Sequence, residues 1–114
     1  MTARQAAGAA AEEEAARHLA GRGLRIVARN FRVRGGEIDI VCRDGDAFVF
    51  VEVRSRSRTD YGGAAASITP AKQARLILAA RHWLQRHGER PCRFDCVLID
   101  AGHLEWVKDA FRPA

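Results

Sequence analysis

Residues 37–54 read Glu37-Ile38-Asp39-Ile40-Val41-Cys42-Arg43-Asp44-Gly45-Asp46-Ala47-Phe48-Val49-Phe50-Val51-Glu52-Val53-Arg54. Two runs rich in Val, Ile and Phe flank Asp44-Gly45, which signals a β-hairpin turning at those two residues. Three acids stand among the apolar side chains: Glu37, Asp39 and Glu52. Strand side chains alternate between faces, so Glu37 and Asp39 share one face and Ile38 and Ile40 the other. On the second strand Phe48, Phe50, Glu52 and Arg54 oppose Val49, Val51 and Val53. A turn at Asp44-Gly45 pairs Arg43 with Asp46, Asp39 with Phe50 and Glu37 with Glu52. That register predicts one patch holding Glu37, Asp39, Glu52 and Arg54, with Asp39 diagonal to Glu52 at roughly 7–8 Å.

Like charges facing each other destabilise a sheet, and an apolar setting adds a desolvation cost. A divalent cation relieves both, and hard oxygen donors suit Mg²⁺ or Mn²⁺. The competing account makes the hairpin an edge whose acids face solvent and pair with nearby Arg. A fourth acid, Glu12, falls on the helix stripe of Ala15, Ala16 and Leu19 that should face the sheet, unless the helix is rotated to expose it. Its neighbour Glu13 precedes Arg17 by four residues, the spacing of a surface ion pair.

Outward from the hairpin, residues 5–21 read as an Ala-rich helix closed by Gly23, and 24–33 as a strand broken by Arg34-Gly35-Gly36. The hairpin strands are 37–43 and 47–55, and 56–68 reads as a loop containing Tyr61-Gly62-Gly63. A second helix starts with Thr69 as N-cap and Pro70 in its first turn, and runs to about His87 before Gly88. It carries Leu76, Ile77, Ala80, Trp83 and Leu84 on one face. Residues 93–100 form a strand, and 104–108 a further strand across Ala101-Gly102-His103. The order helix-strand-strand-strand-helix-strand-strand predicts an α/β fold: a mixed β-sheet flanked by helices, with at least one parallel pair. The 114 residues fit a single domain, 1–114.

The chain is 47% hydrophobic and 29% charged, which sets it among globular rather than disordered proteins. Its formal net charge is +5, with Arg far outnumbering Lys, and a basic surface favours an anionic partner. Arg29, Arg32 and Arg34 on one side of the hairpin, and Arg54, Arg56 and Arg58 on the other, form an array suited to phosphates, with Arg75 counted among them. A solvated strand face explains the same pattern. No apolar run approaches membrane-spanning length, so no membrane role is expected. Three cysteines are too few for a disulfide scaffold and point to reduced thiols in the cytoplasm. Cys92 and Cys96 lie roughly 13 Å apart if both are on one strand, too far to share a zinc ion. Cys42 and Cys96 read as small buried apolar residues.

Asp39 followed thirteen residues later by Glu52-Val53-Arg54 resembles the active-site pattern of the PD-(D/E)xK nuclease superfamily. More closely, Gly8…Glu12, Ala15-Ala16, Arg29-Asn30, Gly36-Glu37-Ile38-Asp39, Val49-Phe50-Val51-Glu52-Val53 and Lys72…Arg75 resemble the YraN family of bacterial proteins. The resemblance implies a restriction-endonuclease-like core related to archaeal Holliday junction resolvases. It implies Mg²⁺ or Mn²⁺ on Asp39, Glu52 and the Val53 carbonyl, with Glu37 beside them and Glu12 in support. The partner implied is nucleic acid, DNA before RNA and branched DNA within it, and junction-cutting relatives act as homodimers. Where that superfamily carries Lys, this chain has Arg54, which can neutralise phosphate charge but cannot readily act as a base. Lys72 is the candidate replacement. The readings open on the sequence are a metal-dependent nuclease, a nucleic-acid-binding module that does not cut, and a protein-interaction adaptor.

Overall fold

Thr2 opens the first helix, α1 (Ala3–Gly21), with a reciprocal capping box. Its hydroxyl accepts the Gln5 N–H at 3.1 Å, and its own N–H donates to Gln5 Oε1 at 2.9 Å. This starts the helix two residues before the point suggested by composition. The computed structural model describes residues 2–56, 68–100 and 102–113, without the side chains of Arg4 and Arg56. Beyond α1 the elements are β1 (Arg25–Val33), β2 (Gly36–Asp44), β3 (Ala47–Arg56), α2 (Pro70–His87), β4 (Cys92–Asp100) and β5 (His103–Phe111). The proposed loop over 56–68, with Tyr61, Gly62 and Gly63, falls almost wholly outside the described residues, as does Arg58.

The strands form one open sheet in chain order, β1-β2-β3-β4-β5. Every neighbouring pair is antiparallel except β3 with β4, which run parallel from Phe48↔Cys92 to Arg56↔Asp100. The α2 crossover makes that parallel pair possible. The helices take opposite faces. Ala11, Ala15, Ala16 and Leu19 of α1 pack with Ile40, Cys42, Val49, Val51 and Val97. Leu76, Ala79, Ala80 and Trp83 of α2 pack with Ile38, Val41, Phe48, Phe50 and Phe94. α2 comes so close to β2 that a Cβ on Gly36 would stand 2.5 Å from the Arg75 carbonyl oxygen. Only glycine fits there. No described helix is long and apolar enough to cross a membrane.

Three sequence expectations are corrected. The hairpin turns at Gly45-Asp46, since Asp44 pairs with Ala47. Glycine at the first central position takes the positive φ (+60°), which Asp44 would have to adopt in the expected turn. The shift moves Asp39 from the rung of Phe50 to that of Glu52, one beyond the last pair, Ile40↔Val51. Second, the alternation of β2 breaks at Asp39, because Ile38 packs under α2 and Ile40 under α1. Third, β5 begins at His103, which pairs with Asp100, and runs on to Phe111. Its far half is held by the fully buried Asp95, which accepts the Trp106 indole N–H at 3.0 Å and the Asp109 N–H at 2.9 Å.

Candidate functional site

The β2–β3 ladder ends at Ile40↔Val51, and beyond it the two strands part. In the observed register the Val53 N–H would next meet the Ile38 carbonyl. It instead donates to Asp39 Oδ2 at 2.8 Å. A side-chain carboxylate therefore closes the fork where the backbone bond is missing. Asp39 also hydrogen-bonds the Glu52 side chain, which is 10% exposed. Burial first, then Asp39, pushes the Glu52 carboxyl up to about 9, against the opposing influence of Arg54 and Lys72. Burial and the neighbouring Asp39 therefore favour the protonated form of Glu52. Arg54 Nη1 lies 3.8 Å from Glu52 Oε2.

The pair lies at a cleft of about 710 Å³ walled by α1 residues Ala7, Gly8, Ala11 and Glu12, by Glu37 and Arg54, and by Lys72 of α2. Lys72 and Arg75 also border a smaller recess over Glu37 and Glu52. Glu12 is half-buried, as its place on the α1 stripe required. Its carboxyl is raised above the usual range by burial and by Asp39, while a hydrogen bond from Asn30 and the charges of Arg29 and Arg32 oppose that rise. Glu37 forms an ion pair with Arg32 at 3.3 Å along the β1–β2 ladder and does not pair directly with Glu52.

Among the described residues no group of three or more His, Cys, Asp or Glu side chains is gathered tightly enough to hold a metal ion. The donors that meet are the Asp39 and Glu52 carboxylates, with the Val53 main chain beside them. That set fits a hydrated Mg²⁺ or Mn²⁺ completed by water or phosphate, and does not fit a closed protein cage. The closeness of the two carboxyl groups supports this fit, since a cation relieves the repulsion and burial that raise Glu52.

A family model described as "Uncharacterised protein family UPF0102" matches residues 11–99. The chain belongs to this family. The UPF0102 protein of Dechloromonas aromatica (strain RCB) is 62% identical over 106 residues, covering 93% of this chain and 88% of that one. A UPF0102 protein of Herminiimonas arsenicoxydans is 56% identical over 110 residues, covering 96% and 89%. That of Methylobacillus flagellatus is 56% identical over 104 residues, covering 89% and 92%. The span matched to UPF0102 includes Glu12, Asn30, Glu37, Asp39, Glu52, Arg54 and Lys72.

Two basic residues of the expected phosphate-binding array in this UPF0102 chain are engaged by nearby acids. Arg29 donates to Glu13 Oε2 at 2.7 Å, so the partner of Glu13 is across on β1, with Arg17 contributing only at longer range. Arg32 is held by Glu37, while Arg34 and Arg75 are exposed. Arg56 ends β3, its side chain outside the described set. Burial pushes the Cys42 and Cys96 thiols up to about 12, as expected of inert core cysteines. Two residues were given no role by the sequence reading. Asp95 had a signal in Arg93 two residues earlier on the same strand face, and the two now pair at 3.1 Å. Asn30 had one in its residue type, since Asn is depleted from strands and tolerates positive φ, here +53°.

Proposed function

We propose that this UPF0102 protein is a Mg²⁺- or Mn²⁺-dependent nuclease that hydrolyses phosphodiester bonds in DNA, branched DNA included. The observation that carries the reading is the hydrogen-bonded Asp39–Glu52 pair at the parted end of β2 and β3, in a cleft that Arg54 and Lys72 also line. Asp39, Glu52 and the Val53 carbonyl would hold the cation. When bound, it supplies an activated water and neutralises charge on the phosphate. The chain's own residues do the rest. Asp39 is fixed by the Val53 N–H and so presents a rigid carboxylate. Arg54 and Lys72 offer positive charge to the phosphate oxygens, and Glu12 supports the site from α1. A guanidinium does not readily act as a base, so the role of Arg54 is to stabilise charge.

A second reading, binding without cleavage, is favoured by Arg54 standing where the resembled superfamily carries Lys. Both readings set the protein in the cytoplasm beside nucleic acid, a location the two buried thiols support, and a homodimer belongs with them. The deciding experiment is Mn²⁺ titration calorimetry on wild type, Asp39→Asn and Glu52→Gln, followed by cleavage assays on single-stranded, duplex and branched DNA and on RNA. Binding lost in both variants together with Mn²⁺-dependent cleavage supports the nuclease. Binding without cleavage of any substrate selects the second reading. No binding to wild type, even with a short duplex present, discards the metal site and leaves an adaptor role.

A further inference from the structure

Asn30 is the one described non-glycine residue besides Asp109 with a positive φ, at +53° in the middle of β1. Its rung of the ladder is missing. Arg29 pairs with Ile40 and Phe31 with Ile38, so the register holds on both sides while Asn30 and Asp39 between them do not pair. Both strands change face at this rung. Ala28 and Phe31, three apart on β1, pack against the same α2-side cluster, and Ile38 and Ile40, two apart on β2, pack on opposite sides. A left-handed residue rotates the chain that follows it, and a partner strand locked in register on both sides must make the matching turn. That turn falls at Asp39. It carries β2 away from β3 after Ile40↔Val51 and leaves the Val53 N–H for the Asp39 carboxylate.

We propose that Asn30 is a positioning residue for the carboxylate site: its left-handed backbone sets the β1–β2 kink that delivers Asp39 to Val53 and Glu52. Asn serves better than Gly here for a second reason, because its side-chain amide favours the ionised form of Glu12 on the cleft wall. Positive φ costs Asn less than most residues, and Asn adds a donor that Gly lacks. The functional meaning of this positioning rests on the cation reading above, whereas the positioning itself does not.

The test follows the Val53 amide by hydrogen exchange without metal, in wild type, Asn30→Gly and Asn30→Ala, with the β4 amide of Val97 as internal reference. Asn30→Gly keeps the left-handed backbone and will keep Val53 protection relative to Val97. In Asn30→Ala the bond to a charged acceptor is lost, and Val53 will exchange about tenfold faster relative to Val97. A global loss of stability would move both amides together and leave the ratio unchanged. Equal Val53 protection in Asn30→Ala, or equal loss in Asn30→Gly, overturns the proposal. Mn²⁺ titration of the same three proteins then separates the two ideas. Weakening by about tenfold in Asn30→Ala alone is the expected result for a residue that orients a ligand. If wild type binds no Mn²⁺, the cation reading fails while the Val53 ratio still decides the role of Asn30.

Discussion

Replacing Glu52 with glutamine will stabilise the metal-free protein, and by an amount that grows with pH. In the native state burial and Asp39 raise the Glu52 carboxyl to about 9 from an ordinary value of 4.5. The folded protein therefore binds a proton at this site that the unfolded chain has released. For a group raised in this way, the stabilising contribution is complete below about 4.5 and is lost as pH climbs toward about 9. Within that window each pH unit costs about 1.4 kcal/mol, so between pH 5.5 and 7.5 wild type loses roughly 3 kcal/mol relative to the variant. The Glu52→Gln side chain keeps the bond to Asp39, because its amide can donate where the protonated acid did, and it carries no titration of its own. Urea unfolding followed by tryptophan fluorescence, with EDTA, across pH 5 to 8.5 measures the gap directly. Parallel stability curves for wild type and Glu52→Gln would refute the raised Glu52 carboxyl and the argument built on it.

Mn²⁺ affinity of the wild type will rise by up to about tenfold per pH unit below pH 8, as the cation displaces the Glu52 proton, and calorimetry in two buffers of different ionisation enthalpy will show that proton released. Gly36→Ala will destabilise the protein by about 2–3 kcal/mol in urea unfolding, since its methyl group meets the Arg75 carbonyl oxygen and backbone on both sides must yield. Asp95→Ala will cost about 3 kcal/mol by the same assay, because Arg93, the Trp106 indole and the Asp109 N–H lose a buried acceptor together.

Helix α2 was legible to its ends because its signals are local: Thr69 caps the Lys72 N–H, Pro70 needs no donor, and Gly88 stops the chain. The two acids themselves were also legible, since Asp39 and Glu52 are conspicuous among apolar strand residues. Their relation was less so. Asp44-Gly45-Asp46 contains two overlapping turn signals, Asp-Gly and Gly-Asp, and only the cost of a positive φ at Asp44 chooses between them. That choice moves every cross-strand pair by two residues without exchanging faces. The kink at Asn30 leaves one trace in β1, a step of three from Ala28 to Phe31 where strict alternation gives two, and a single such step does not locate the turn. Besides Arg93, Asp95 draws its partners from 11 and 14 residues away on β5, so no local pattern reveals why β5 runs past Lys108.

The two helices hold the cleft's walls by unlike means. α2 is latched: its backbone rests on Gly36, and Lys72 and Arg75 are fixed in distance from the β-fork by that contact. α1 meets the sheet chiefly through Ala11, Ala15, Ala16 and Leu19, a smooth bearing of mostly methyl groups. A methyl surface offers few interlocking ridges, so a helix can slide or tilt over it at small cost compared with one seated on backbone. The wall that carries Glu12 therefore rests on the softer contact, and the wall that carries Lys72 on the harder one.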